Sequence, residues 1–260
     1  MQPPPRNNFH FASNMLNAFA TLYKRELLSV LQSVLGMAIL GVFVLLSGLF
    51  HWVFPGNWNL LDRGVADLEP FFLFTPWVLM FLIPAITMRA LAEERNAGTL
   101  EWLLTRPLDA AWILYAKFFA GLTLVGLALL PTLINAVLLN ALGQPVGNLD
   151  AGAVLAGYLG LMLLSAAFIA IGLAASASTS SQVVSFLASF TLSLLWYYGP
   201  SALGSFDLFG SWDHAVQWMG LELHYLSACR GALALRDVAW FLTATGAGLA
   251  VARYRILTNR

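Results

Sequence analysis

The chain predicts an all-α protein that crosses a membrane several times, and three observations carry that expectation. Of its 260 residues 59% are hydrophobic and only 10% are charged, whereas a soluble domain is about half apolar and about a quarter charged. Six stretches long enough to cross a bilayer hold no Asp, Glu, Lys or Arg in their interiors. The charges gather instead at the ends and in the connections, most densely in the segment Arg89–Lys117.

A span needs roughly 20 predominantly apolar residues. Those stretches are Val34–Val53, Phe71–Met88, Phe118–Leu142, Ala153–Ala175, Val183–Leu203 and Val238–Val251, the last extending to Tyr254 with Arg253 snorkelling. Pro76, Pro84 and Pro131 fall inside spans and predict bends. The organisation that follows is a cytoplasmic N-terminus with an interfacial helix over 1–33, a transmembrane domain over 34–254, and a tail over 255–260. Six spans place both termini on one side. Ten Lys and Arg residues fall on the face with the termini and only Arg63, Arg230 and Arg236 on the other. The positive-inside rule makes the termini cytoplasmic. Met1–Ser33 reads poorly as a secretory signal, since Pro3, Pro4 and Pro5 open it.

Before the first span, Leu16, Phe19, Tyr23, Leu27 and Val30 recur at helical spacing, with Asn17, Thr21, Lys24 and Gln32 opposite. This pattern fits an amphipathic helix lying in the membrane interface; a plain extension of the first span is the alternative. The connection over 89–117 predicts a helix running through Glu93 and Glu94, Gly98 as C-cap, and Thr99 opening a short helix to Thr105 that Pro107 stops. Leu100, Leu103 and Leu104 give that helix an apolar face, and Glu94, Arg95 and Glu101 supply charge. The shape suits docking in a partner's groove; a solvated connecting loop is the other reading. Ser176–Gln182 reads as a tight turn. The segment over 204–237 is too polar to span and too apolar for a free loop, so short re-entrant or interfacial helices are expected there. His214 and His224 offer at most a weak metal pair. Gly152, Ala156 and Gly160, then Ala166, Ala170 and Ala174, permit close helix approach.

Several function classes are disfavoured. Net charge is zero, which gives no electrostatic support for nucleic acid. The single Cys229 rules out an internal disulfide. No G-x-x-x-x-G-K-[ST] phosphate loop, H-E-x-x-H, G-x-S-x-G or calcium loop is present. No catalytic set can be assembled, and no cofactor or metal site is expected in this chain. Ion-coupled carriers keep ionisable groups inside the membrane despite a cost of roughly 2.5–3.5 kcal/mol each, and these spans hold none. Ser47, Thr87, Asn135 and Asn140 are the polar candidates for a pathway; both asparagines serve equally as interhelical hydrogen-bonders.

Ile83-Pro84-Ala85-Ile86-Thr87-Met88-Arg89, Glu93-Glu94-Arg95, Gly98-Thr99-Leu100-Glu101 and Leu104-Thr105-Arg106-Pro107 resemble the first cytoplasmic loop of type-2 ABC exporter permeases, and among them the gliding-motility-associated (GldF-like) subgroup. Lys24-Arg25-Glu26-Leu27, Leu46-Ser47-Gly48-Leu49-Phe50, Lys117-Phe118, Ser176, Thr179, Gln182, Arg230-Gly231 and Asp237-Val238 extend the likeness over nearly the whole chain after Ala18; Asn96-Ala97 departs from the basic or polar pair frequent there. The resemblance implies a membrane subunit in a bacterial inner membrane. A coupling helix, carried by Glu93, Glu94, Arg95, Gly98, Thr99, Leu100, Glu101, Leu103, Leu104 and Thr105, would dock on a cytoplasmic ATPase dimer that binds the ATP and Mg. A second permease subunit, identical or related with a large extracytoplasmic domain, would complete the transporter. A secondary transporter and a non-transporting membrane scaffold are the competing functions.

Overall fold

The computed structural model describes residues 8–98, 110–206 and 210–258, and all of its regular elements among them are helical. Five helical stretches are long and apolar enough to cross a membrane: Val34–Val53, Glu69–Asn96, Ala110–Leu142, Ala151–Ser178 and Gln182–Gly204.

Helix α1 (Asn8–Leu31) precedes them, turns at Ser33, and hands over to α2 (Val34–Gly48). The Ser33 Oγ caps α2 by accepting from the Gly36 N–H at 2.9 Å, and the fold leaves no room for a side chain at Gly36, whose Cβ would meet the Val30 carbonyl. The last turn of this span, Leu49–Val53, is π-helical. Helix α3 (Glu69–Thr87) contains the buried Pro76 and Pro84. Thr75 Oγ1 donates to the Phe71 carbonyl and Thr87 Oγ1 to the Ile83 carbonyl. After a turn comes the short α4 (Ala92–Asn96). Helix α5 (Ala110–Leu129) is separated from α6 (Leu133–Leu142) by a 3-10 turn at Leu130–Thr132. Pro131 sits in that turn, as its missing N–H dictates.

Helix α7 (Ala151–Ser178), capped by Asp150, is the central post. Small residues let four neighbours approach it. A Cβ at Gly157 would strike the Phe72 ring, one at Gly160 would strike Ala228, one at Gly172 would strike Thr87, and Ala170 meets Gly248. The spaced small residues thus serve packing inside the chain. Helix α8 (Gln182–Tyr197) follows with Ser181 as N-cap.

The segment beyond α8 folds into short helices, α9 (Gly199–Gly204), a 3-10 turn Gly210–Trp212, α10 (Asp213–Trp218) and α11 (Leu221–Cys229). Helix α11 inserts beside α3 and α7: the buried Tyr225 hydroxyl donates to the Phe72 carbonyl at 2.6 Å. The chain ends in α12 (Leu235–Thr258), which runs parallel to α7, Gly231 meeting Ala153 at one end and Gly248 meeting Ala170 further along both. Its buried small residues, Ala244, Gly248 and Ala252, suit this packing, and the charges near its ends, Arg236, Asp237, Arg253 and Arg255, set it apart from the five apolar stretches.

Candidate functional site

Charge concentrates where α1, α4 and α5 meet. Helix α1 lies against α5 through the same face the apolar spacing picks out. The Tyr23 hydroxyl is 2.8 Å from Thr123 Oγ1, and the Phe19 ring packs edge-on to Trp112 and Phe119. One turn beyond Tyr23, Glu26 reaches Lys117, the single charged residue of α5. The Lys117 side chain is 2% exposed, and its ammonium donates to Glu26 Oε2 at 3.0 Å and to Glu94 Oε1 at 2.8 Å. Arg25 closes the cluster on Glu26 Oε1 at 2.8 Å and stands 3.7 Å from Glu94 Oε1. One buried ammonium therefore joins three elements. Burial pushes the Glu26 carboxyl up, but Lys117 and Arg25 outweigh it and hold Glu26 below the usual carboxylate range.

The connection to α4 is fastened from another side. Helix α3 ends at Thr87 rather than running unbroken through Glu94 as its sequence predicts; the turn Met88–Leu91 intervenes. The buried Ser176 hydroxyl, near the end of α7, explains how the turn is held. It accepts from the Leu91 and Ala92 N–H groups at 3.0 Å each and donates to the Met88 carbonyl at 3.2 Å, so backbone groups that the helix break leaves open are satisfied by α7.

Among the sequence-predicted docking residues, Glu93 pairs with Arg89 at 3.2 Å, Glu94 enters the Lys117 cluster, and the Arg95 Nη2 is buried without a hydrogen-bond partner among the described residues. Gly98 adopts φ +68°, the left-handed C-cap conformation expected of it, with its N–H on the Arg95 carbonyl at 3.1 Å. Thr99, Leu100, Glu101, Leu103, Leu104 and Thr105 lie outside the described residues.

The polar residues within the spans are dispersed. Asn135 Oδ1 accepts from Trp52 Nε1 at 2.8 Å, an interhelical bond between α6 and the π-turn. Thr87 is bonded within its own helix and faces Gly172. Ser47 is buried, its carbonyl engaged by His51 Nδ1. Asn140 is exposed, with its carbonyl accepting from the Gly147 N–H at 3.1 Å.

A second polar cluster occupies the opposite end. The His224 Nδ1 is 2.7 Å from Asp237 Oδ1 and Nε2 is 3.0 Å from the Trp218 carbonyl, while Ser227 Oγ donates to Asp237 Oδ2 at 2.7 Å. The three residue types match a hydrolytic triad, but the arrangement does not: the carboxylate stands between serine and histidine, so the imidazole does not address the hydroxyl. The cluster pins α11 to the start of α12. Among the described residues there is no group of three or more side chains suited to a metal ion.

The tether role of Glu26 and Lys117 and the clasp of Ser176 are the features the sequence reading passed over. A lone lysine in an otherwise apolar helix was the available signal, since such a charge needs a partner.

A family model described as ABC-2 family transporter protein matches residues 9–227, covering both the α1–α5 junction and the short helices of the opposite end. No curated protein matches the chain. Permeases of this family typically carry no catalytic site, and they work with a separate ATPase subunit. With five membrane-length apolar helices and this match over most of its length, the chain belongs to the ABC-2 family of transporter proteins as a membrane component.

Proposed function

We propose that the chain is the transmembrane subunit of a type-2 ABC exporter of a bacterial inner membrane, akin to the gliding-motility-associated permeases, with six spans and both termini in the cytoplasm. Helix α12 is the sixth span: 24 residues at 1.5 Å each exceed the roughly 30 Å hydrocarbon core, and its charges, Arg236, Asp237, Arg253 and Arg255, stand near its ends. Helix α1 is the interfacial elbow, α11 is re-entrant from the outer side, and the loop over 89–117 receives the ATPase dimer. A second permease subunit, identical or related, completes the pathway or the force-transmitting assembly.

The observation that carries this reading is the Lys117 junction. A load applied to α4 moves Glu94, and Lys117 passes that displacement to the elbow through Glu26 and to the third span directly. Ser176 passes it to the central post α7. Buried pairs of this kind resist separation because splitting them strands a charge. Docking energy comes from the apolar Leu100, Leu103 and Leu104, since anchors buried in a groove dominate binding. The test is Leu103→Asp in the assembled transporter. The variant is expected to insert normally while losing ATPase association or coupled hydrolysis; full association with coupled activity would place the docking elsewhere.

A further inference from the structure

Beneath the junction of α1 and α2 lies a cavity of about 1190 Å³, open at the α1 end of the bundle. Its inner wall is apolar, built by Leu35 and Ile39 of α2, Ile86 of α3 and Leu124 of α5. Its mouth is charged, and differently from an ordinary anion site. Arg25, Arg89 and Lys117 line it together with Glu26, Glu93 and Glu94, so the signs balance. Lys117 is spent on its two carboxylates. The two guanidiniums are not: Arg25 and Arg89 are 51% and 43% exposed, and among the described residues each is matched to neighbouring carboxylate through part of its donor set. A guanidinium carries five N–H donors in a fork that suits phosphate oxygens. Glu93, 52% exposed on the same rim, can accept from an ammonium.

We propose that this cavity is a binding site for a phospholipid whose headgroup carries both a phosphate and a primary ammonium, with an acyl chain along Leu35, Ile39 and Leu124. The apolar inner wall of the recess is covered by hydrocarbon, since water there would find too few polar partners. The balanced rim selects the headgroup. Phosphate takes the remaining donors of Arg25 and Arg89, and the ammonium takes Glu93, whereas a headgroup without an ammonium leaves that last contact unmade. The site lies within one chain, between the elbow and the spans, so it stands on the membrane reading and not on cargo, coupling or oligomeric state.

The experiment replaces Ile39 with a photoreactive benzophenone amino acid in the full chain, carried with whatever subunits accompany it, in vesicles of equal phosphatidylethanolamine and phosphatidylglycerol with matched acyl chains. A second variant carries the photoreactive group at Val251, exposed on α12 and outside the cavity. No nucleotide is added, so a failure of ATPase coupling leaves the readout unaffected. Capture at Ile39 should favour phosphatidylethanolamine roughly tenfold over the ratio at Val251, the factor expected for an added charge-assisted contact. Arg25→Gln with Arg89→Gln should return the Ile39 ratio to that of Val251, and Ser29→Trp, on the cavity wall, should cut capture of either lipid at Ile39. Equal ratios at the two positions, a preference for phosphatidylglycerol at Ile39, or no lipid at Ile39 while Val251 is labelled, would each overturn the proposal.

Discussion

At the α1 end of the bundle, one buried ammonium holds carboxylates from two other elements, and a serine of α7 holds the turn that leads to α4. At the opposite end, the His224 ring, bonded to Asp237, packs against Trp218 and Trp240, and the short helices there pack on α7 through Gly160 and Ala228. The first end joins elements from distant parts of the sequence through charge; the second fastens α11 to the neighbouring α12 through a local hydrogen-bonded clasp, with the neutral Tyr225 hydroxyl reaching the distant Phe72 carbonyl. Displacing an element at the first end strands a buried ion, so displacement is passed on. At the second end it breaks a clasp between α11 and α12 and leaves the remaining contacts in place. Under the proposed function the first end transmits load and the second holds shape.

The largest effect should come from Lys117→Met. It takes from Glu26 and Glu94 the ammonium they share, and breaking a buried pair this way costs about 3 kcal/mol. Thermal denaturation in nanodiscs should show the loss, and adding Glu26→Gln and Glu94→Gln should restore much of it. The same junction makes a pH prediction. Because Glu26 titrates below its ordinary value in the folded protein, its contribution is present above the unfolded carboxylate value and is lost as pH falls through the lowered one. Stability at neutral pH should be flat, and acid loss should be smaller in Glu26→Gln than in the parent chain.

Next comes Asp237→Asn, which weakens the charge-assisted bonds to His224 and Ser227 and should cost about 2 kcal/mol. The comparison is sharpened by the second readout: this variant should lower the melting temperature and leave coupled ATP hydrolysis near the parent value, whereas Lys117→Met should lose both. Ser176→Ala removes the acceptor for two backbone N–H groups at a cost of about 1.5 kcal/mol. It should reduce coupling by more than its stability loss explains, in contrast to Asp237→Asn. Smallest of all, Arg63→Gln removes an exposed ion pair with Glu69 and should change stability by less than about 0.5 kcal/mol.

Much of this architecture is legible in the sequence because membrane spans are set by long uninterrupted apolar runs, and those need no tertiary information. The first span is read at Val34–Val53 and found there. The 3-10 break at Pro131 follows from a missing N–H, and the left-handed Gly98 from the absence of a Cβ. Contacts between distant segments are harder to read. Glu26 and Lys117 are 91 positions apart and Leu91 and Ser176 are 85 apart, and no periodicity announces which charge meets which. The turn after Thr87 was also hidden, since Ala90, Leu91 and Ala92 are good helix formers and the break depends on Ser176 offering its hydroxyl to the freed backbone.

In the proposed assembly the ATPase subunit acts on the α1 end. Cys229 is the only native cysteine and is buried, so an introduced thiol reports its own surroundings. Asn96→Cys, exposed at the end of α4, and Phe206→Cys, exposed beyond α9, should be treated with a short thiol crosslinker in the assembled transporter. Position 96 should yield an adduct with the ATPase subunit that Leu103→Asp abolishes, and position 206 should yield none. An ATPase adduct from position 206, or none from position 96 in a complex that hydrolyses ATP, would contradict the account.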